Sequence, residues 1–222
     1  MSLRYLCSMK LQDETAYIRA LISEGEHVRQ DFKYEISDSR KIARTLSAFA
    51  NTEGGRLLIG VKDNGRIAGV RSDEEMYMVE AAARLYCRPE VKVSMSVHRA
   101  EGKTVLLAEI PAVEAKPVMA CDESNRMRAY VRIADENILA TAVHMNVWRS
   151  VGEGVPDILT YTEREQRMLD LLSVSEPLSV SAICRCLPLP RRDVVALLAR
   201  FVRWNLVEMC HDGSSFVYKA VE

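Results

Sequence analysis

The stretch AFANTEGGRLLIGVKDNGRIAGV, residues 48–70, constrains the fold more than any other part of the chain. Apolar residues at helical spacing precede the pair Gly54–Gly55, and a short apolar run typical of a strand follows it. The triplet Asp-Asn-Gly predicts a tight turn into a second strand, RIAGV. Asn51 can cap backbone groups at the end of the helix, and the two glycines permit positive φ where the chain reverses. The segment therefore predicts a helix that ends abruptly against a β-hairpin.

Similar patterns continue on both sides of this stretch. Helices are predicted over residues 13–23 and over residues 40–53, where Ser39 would be the cap. A third helix is predicted to begin after its cap Ser72, and a fourth lies around the sequence ENILATAVHMNVWRS. Period-two alternation and tight turns predict strands in EVKVSMSVH, TVLLAEIP, PVMAC and MRAYVRI. Strands that are paired by tight turns and interrupted by helices indicate an α+β domain with a largely antiparallel sheet.

The pattern changes after VGEGVPD, residues 151–157, the one segment with the composition of a linker. Three helices are predicted beyond it, the first capped by Thr162, and the last segment reads as a hairpin that turns at Asp212–Gly213. Three helices closed by a hairpin are typical of a winged helix-turn-helix. The sequence thus predicts a first domain over residues 1–150 and a small winged helix over residues 158–222.

Composition narrows the function classes. A formal net charge of −1 over 222 residues excludes a histone-like basic protein, although local basic faces are compatible with it. No apolar run reaches the length of a membrane helix, and charged residues near the start argue against a signal peptide. Six cysteines without the spacing of a disulfide framework favour a reducing cytoplasm. We therefore expect a cytoplasmic protein without a membrane partner.

Four motifs together resemble the Schlafen AlbA-2 family: AFANTEGG, LLIGVKDNGRIAGV, EHVRQDFK and AYVRIADEN. They occur in the order and spacing of that family and cover about residues 13–150. In bacteria such domains are often joined to a winged helix, and the same two-domain layout is predicted here. Proteins with this layout are described as DNA-binding transcriptional regulators. Animal Schlafen cores contain two related lobes, so the resemblance also suggests that this single lobe forms a homodimer.

The resemblance implies a second function, because the related animal fold cuts RNA with three carboxylates. These fall on Glu26, Asp31 and Asp63, with aspartate at the second position where the family usually has glutamate. They would hold Mg²⁺ or Mn²⁺, and no other cofactor is expected. Glu26 and Asp31 have opposite parity on a regular strand, so one irregularity is needed to bring them together. Alternatively, Asp31 pairs with Lys33 and Asp63 serves its turn.

Basic residues define the expected nucleic-acid contacts. Those in or near the family motifs are Lys33, Arg40, Lys41, Arg44, Arg128 and Arg132, and those in the predicted winged helix are Arg185, Arg191 and Arg192. Three hypotheses remain open. The leading one is a DNA-binding transcriptional regulator, the second is a metal-dependent nuclease acting on RNA or single-stranded DNA, and the third makes the winged helix a protein-assembly module. The chain has no GxxxxGK phosphate loop, which argues against ATP binding.

Overall fold

A computed structural model of the chain describes residues 3–152 and 161–221, with side chains from residue 13 onward in the first range. The chain divides into two compact units between Leu139 and Ala140. A helix at residues 142–152, predicted to close the first domain, therefore groups with the second unit. Residues 153–157 of the predicted linker and residues 158–160 of the predicted second domain lie outside the described residues.

The first unit alternates helices with short strands. Its helices are α1 (Leu3–Ser23), α2 (Ser39–Asn51) and α3 (Glu74–Leu85). Its strands are β1 (Gln30–Lys33), β2 (Gly55–Ile59), β3 (Cys87–Arg88), β4 (Ser94–Ala100), β5 (Lys103–Ile110), β6 (Met119–Cys121), β7 (Met127–Ile133) and β8 (Glu136–Leu139). Within the described ranges no helix is both long and apolar enough to cross a membrane.

These strands form two sheets. The first has the order β1-β2-β5-β4, in which only β1 and β2 run parallel, with Asp31 beside Leu57. Its remaining pairs, β2 with β5 and β5 with β4, are antiparallel. The second sheet has the order β3-β6-β7-β8 and is antiparallel throughout. The predicted α+β class with a largely antiparallel arrangement is confirmed.

Helix α2 lies at the centre of the first unit and is buried on nearly every side from Ile42 to Asn51. It packs against α3 on one side and against β6 and β7 of the second sheet on another. The helix begins one residue earlier than predicted, because Asp38 and not Ser39 is its cap: the Asp38 carboxylate accepts from the Arg40 N–H at 2.8 Å. The backbone N–H of Gly54 closes its other end by donating to Phe49 O at 2.8 Å.

Helix α1 covers the opposite face of the first sheet. Ile18, Leu21 and Ile22 are buried in one cluster with Phe32 of β1 and Leu58 of β2. The neighbours of Leu58 on β2, Leu57 and Ile59, face the α2 side instead, because successive side chains of a strand alternate between faces. Both faces of the first sheet are thus covered, and the buried residues of its central strands, β2 and β5, are apolar.

One strand prediction and one helix prediction are wrong in part. The segment RIAGV does not pair with β2 as a hairpin strand; only an isolated bridge joins Val61 to Ile67. Strand β2 has its two edges occupied by β1 and β5, so no edge is left for a hairpin partner. The predicted helix ENILATAVHMNVWRS is interrupted as well, since its first four residues form β8 and the helix starts at Ala142.

The second unit is a helical group with a small sheet. Its elements are α4 (Ala142–Gly152), α5 (Glu163–Val174), β9 (Leu178–Ser179), α6 (Val180–Cys186), α7 (Arg191–Arg203), β10 (Val207–His211) and β11 (Phe216–Ala220). Thr162 precedes α5 as predicted, and its N–H donates to the Glu165 carboxylate at 3.2 Å in a capping box. Strands β10 and β11 form the predicted hairpin, and β9 pairs with β11. Assignment of this unit to the winged-helix class stays a prediction.

Candidate nucleic-acid interface

Glu26 and Asp31 lie beside each other because the chain reverses between them. The N–H of His27 donates to Gln30 O at 3.0 Å, and the N–H of Gln30 donates back to His27 O at 3.1 Å. This tight turn is the irregularity that the parity of the two carboxylates requires. Asp31 then enters β1 with only 3% of its surface exposed, while Glu26 accepts from the backbone N–H of Phe32 at 2.9 Å.

Cations of the protein surround the Asp31 carboxylate. Arg132 Nη2 lies 3.3 Å from Asp31 Oδ1, and Lys33 Nζ lies 2.8 Å from Asp31 Oδ2. The contact between Lys33 and Asp31 is an ion pair whose angles do not meet those of a hydrogen bond, since Asp31 Oδ2 is buried and has no hydrogen-bond partner. Burial, and after it a hydrogen bond with the Asp31 carboxyl, raises the pKa of Glu26 above its ordinary value. Asp31 pairs with Lys33, the alternative that the sequence left open.

Asp63, the third predicted carboxylate, lies exposed in a turn in which the Lys62 N–H donates to Arg66 O at 3.0 Å. Mg²⁺ and Mn²⁺ need several free oxygens, yet the oxygens of Asp31 already face Arg132 and Lys33. Among the described residues, no group of three or more His, Cys, Asp or Glu side chains is placed to hold a metal. The three carboxylates as arranged do not fit a metal centre, and the nuclease alternative stays a prediction.

Arg132 is a structural residue, and its predicted contact with a phosphate backbone is wrong. The residue is 2% exposed, and its guanidinium lies 5.1 Å from the centre of the Phe49 ring. Arg132 Nη1 donates to Asn137 Oδ1 at 3.0 Å, and Nη2 donates to Gln30 O at 3.2 Å and approaches Asp31. The planar guanidinium thus joins β7 to β1 inside the fold, where a nucleic acid cannot reach it.

The other predicted basic residues of the first unit lie at or near the surface. Arg44 and Arg128 each donate to a surface carboxylate, at 2.9 and 2.8 Å. Lys33 is partly exposed beside Asp31, Lys41 is exposed on α2, and Arg40 is half-buried in the first turn of that helix. Each of these five side chains is at least partly exposed, and their contact with a nucleic acid stays a prediction.

Asn51 does not cap its own helix as predicted; its side chain binds other parts of the chain. Asn51 Oδ1 accepts from the Val118 N–H at 2.7 Å, and Nδ2 donates to Val118 O at 2.8 Å and to Tyr130 O at 2.9 Å. The residue is 3% exposed. With its amide so occupied, Asn51 has no group left for a ligand and fixes α2 to the second sheet.

The two glycines after α2 are required by close packing. Gly54 has φ +73°, and a Cβ there would lie 2.7 Å from both Ala112 N and Ile110 O. A Cβ on Gly55 would lie 2.5 Å from the Phe49 ring and 2.9 Å from the backbone oxygen of Arg29. Because backbone atoms cannot move aside as flexible side chains do, these positions exclude larger residues. The end of α2 therefore needs glycine for its own geometry, without any bound phosphate.

In the second unit the predicted arginines lie on neighbouring helices. Arg191 and Arg192 open α7, and Arg185 is exposed on α6. The Arg192 side chain is 88% exposed, and its Nε lies 3.3 Å from the adjacent Asp193. Arg191 Nη1 donates to Ser181 Oγ at 3.2 Å, which holds this guanidinium near α6. The structure thus brings three exposed guanidinium groups to α6 and the start of α7.

One cationic group was missed by the sequence analysis. Tyr34 follows β1 and is 38% exposed. Arg71 Nη2 donates to its hydroxyl at 3.1 Å, and Lys62 Nζ lies 4.9 Å from the centre of its ring. The sequence offers one local indication: Tyr34 directly follows the family motif that ends at Lys33, and Lys62 precedes Asp63 within another motif. The sequence does not predict that Tyr34, Lys62 and Arg71 lie close together, because their proximity depends on how the loop after β2 folds back.

Comparison with known proteins identifies the family to which the first unit belongs. The family described as "Schlafen, AlbA_2" matches residues 26–141, which is more than half of the chain, and the protein belongs to this family. The DIP2311 protein from Corynebacterium diphtheriae is 21% identical with a TM-score of 0.45; the match covers 64% of this chain and 28% of that one. The N-terminal domain of a RecG-related protein from Nitrosomonas europaea is 20% identical with a TM-score of 0.40, over 58% of this chain and 89% of that one.

The chain thus spans 28% of the length of DIP2311. Comparison with curated proteins gave no match. Membership of the AlbA_2 family supports a role related to nucleic acids.

Proposed function

We propose that the protein is a DNA-binding transcriptional regulator whose second unit is a winged helix that contacts duplex DNA. Family membership supports the nucleic-acid-related part of this function. The order α5, β9, α6, α7 and the hairpin β10–β11 supports the winged-helix part. A regulator is favoured over an enzyme, because the Asp31 carboxylate is paired with Lys33 and Arg132.

The pair Arg191 and Arg192 at the start of α7 carries the proposal. In a helix-turn-helix the first residues of the second, recognition helix meet the major groove. Both arginines are exposed there, and the only acidic residue in the first turn of α7 is Asp193. Exposed guanidinium groups in this position can bind phosphates or the edges of guanine bases.

The test replaces both arginines with alanine in the full chain and measures the affinity for labelled duplex DNA over a series of salt concentrations. The plot of log K against log salt should become less steep by up to about 2, since each lost phosphate contact removes about 0.9 from the slope. Arg164→Ala/Arg167→Ala is the matched control, because it removes two exposed arginines from α5. Unchanged affinity and slope in the α7 variant would assign the second unit to protein assembly instead.

The homodimer suggested by the resemblance also stays a proposal. A two-fold pair of lobes would enclose a groove that one lobe alone does not form. Light scattering tests it: a dimer gives twice the chain mass of 25.0 kDa, and a monomer at micromolar concentration contradicts it.

A further inference from the structure

Tyr34, Lys62 and Arg71 form an exposed cationic patch around one aromatic ring in the first unit. Lys62 Nζ lies 4.9 Å from the ring centre, within cation–π distance, and Arg71 Nη2 binds the hydroxyl at 3.1 Å. Tyr34 is 38% exposed and both cations are exposed. A partly exposed aromatic side chain and two positive charges thus lie side by side at the surface.

The backbone fixes this patch through the loop that follows β2. Gly60 O accepts from the N–H groups of Ala68 and Gly69 at 2.8 and 2.9 Å, so the loop closes on itself. Gly60 has φ +93°, and a Cβ there would lie 2.9 Å from Gly69 C and Val70 N. The Gly60 N–H also donates to Lys33 O at 2.8 Å, next to Tyr34. The glycines of the IGV and AGV segments therefore serve to bring Lys62 and Arg71 to the tyrosine.

Neither cation of the patch has its charge neutralised within the described residues. Lys62 and Arg71 form no salt bridge there, in contrast to Lys33, which is paired with Asp31. The Glu75 carboxylate faces the backbone N–H of Arg71 at 3.5 Å and not its guanidinium. Two like charges at one ring repel each other, and an anion placed between them would relieve that repulsion. A phosphate group suits the forked donors of arginine and the point charge of lysine.

We infer that this patch binds single-stranded nucleic acid, with a phosphate held by Lys62 and Arg71 and the adjacent unpaired base stacked on Tyr34. The inference deepens the proposed nucleic-acid function and rests on it. Bases of a duplex keep their faces stacked on each other, so an exposed aromatic face gains nothing from duplex DNA. An unpaired base offers such a face whatever its sequence, and stacking on aromatic side chains is the usual means of binding single strands.

The test measures binding of the full chain to fluorescent oligothymidylate of about 16 nucleotides, the upper end of known single-strand site sizes. Tyr34→Leu should weaken binding about fivefold or more, the effect of losing one stacked base. Tyr34→Phe keeps the ring and should lose much less. Tyr77→Leu is the matched control, because Tyr77 is a 62% exposed tyrosine on α3, and it should leave the affinity unchanged.

A second variant tests the charges and does not depend on the tyrosine. Lys62→Ala/Arg71→Ala should make the salt dependence of oligothymidylate binding less steep by about 0.7, since the two cations share one phosphate and each single-strand phosphate contact contributes about 0.7 to the slope. Thermal unfolding of each variant shows whether the fold is kept. If Tyr34→Leu unfolds, the double variant decides by itself.

The outcomes separate this inference from the proposed function. Wild-type protein that binds neither duplex nor oligothymidylate would contradict both. Wild-type protein that binds oligothymidylate equally well after Tyr34→Leu and after Lys62→Ala/Arg71→Ala would overturn the patch alone. Loss of oligothymidylate binding in these variants, with duplex binding unchanged, is the expected result.

Discussion

Asn51 binds both backbone polar groups of Val118: its Oδ1 accepts from the N–H at 2.7 Å, and its Nδ2 donates to the carbonyl at 2.8 Å. The register that pairs Met119 with Ala129 would place Val118 opposite Tyr130, just beyond β6. At that point α2 side chains, and not the neighbouring strand, satisfy the backbone. Helix α2 thus satisfies the backbone groups of the second sheet at the point where the pairing of β6 with β7 ends.

Replacing Asn51 with alanine should therefore destabilise the first unit strongly. The Val118 N–H and the Tyr130 carbonyl would lose their partner in the interior, and each unsatisfied buried group costs roughly 1–3 kcal/mol. We expect a loss of about 3 kcal/mol in the free energy of unfolding, measured by far-ultraviolet circular dichroism in urea. Asn64→Ala, in an exposed turn, is the control. An equal effect of both substitutions would show that the Asn51 amide contributes nothing.

The ion pair of Arg132 and Asp31 gives a second prediction. Arg132→Met removes the buried partner of the Asp31 carboxylate, which is 5% exposed and keeps its ion pair with Lys33. Loss of a buried partner costs about 3–5 kcal/mol, and the remaining pair with Lys33 should hold the loss near the lower end of that range. The double variant Arg132→Met/Asp31→Leu should lose less than the sum of the two single variants, because the carboxylate that Arg132 balanced is gone. Urea unfolding of all three measures this coupling. Strictly additive losses would argue against a direct interaction, and Arg128→Met, at a surface ion pair, should change stability little.

These two residues also show what the sequence could and could not predict. The helix before Gly54, the glycine-dependent reversal and the apolar strand after it are local features, and the structure has them. An arginine in the period-two pattern MRAYVRI gives no sign of facing the interior, so Arg132 was assigned to the surface. Its burial depends on Asp31 and Gln30, about a hundred residues away.

The pairing of strands is the second feature that the local sequence could not predict. The triplet Asp-Asn-Gly indicates a hairpin wherever a free strand edge is available. Here β1 and β5 already occupy both edges of β2, so the turn forms but the returning segment RIAGV stays outside the sheet. Similarly, Glu26 and Asp31 were correctly selected as neighbours only through the family resemblance. The local sequence does not predict that both Lys33 and Arg132 form ion pairs with the Asp31 carboxylate.

Cleavage of nucleic acid tests the carboxylates directly. With Asp31 held by Arg132 and Lys33, we expect wild-type protein not to cut RNA or single-stranded DNA in Mg²⁺ or Mn²⁺. Asp31→Glu, which restores the usual residue of the family, should gain no activity, because one methylene more in a 3% exposed site strains the packing. Gel analysis of labelled strands measures this. Mn²⁺-dependent cleavage that disappears in Asp63→Asn but persists in the control Asp73→Asn would establish the nuclease instead.

A pH dependence should arise in the second unit from His144. Burial among aromatic side chains lowers its pKa from 6.5 to about 4, and its Nδ1 accepts from the Thr141 N–H at 3.1 Å. Above pH 6.5 the imidazole is neutral in both the folded and the unfolded chain. Between 6.5 and about 4 the unfolded chain binds a proton that the folded one does not, so stability falls as the pH falls.

The loss across this window should be on the order of 3 kcal/mol. Trp148 and Trp204 are the two tryptophans of the chain and both lie in this unit, so their fluorescence in urea follows its unfolding. His144→Asn keeps an acceptor near the Thr141 N–H and should remove the loss, whereas His98→Asn in the first unit should retain it. A wild-type stability that is constant from pH 6.5 to 4 would contradict the assignment.

Helix α1 lies before the residues that define the family, since the matched region begins at Glu26 and the helix ends at Ser23. Nevertheless Ile18, Leu21 and Ile22 cover one apolar face of the first sheet. A fragment trimmed to the family borders would present Phe32, Leu58 and neighbouring side chains to water, and its chains would associate through that face. A fragment designed for study of the first unit should therefore include α1 in addition to the residues that the family model matches.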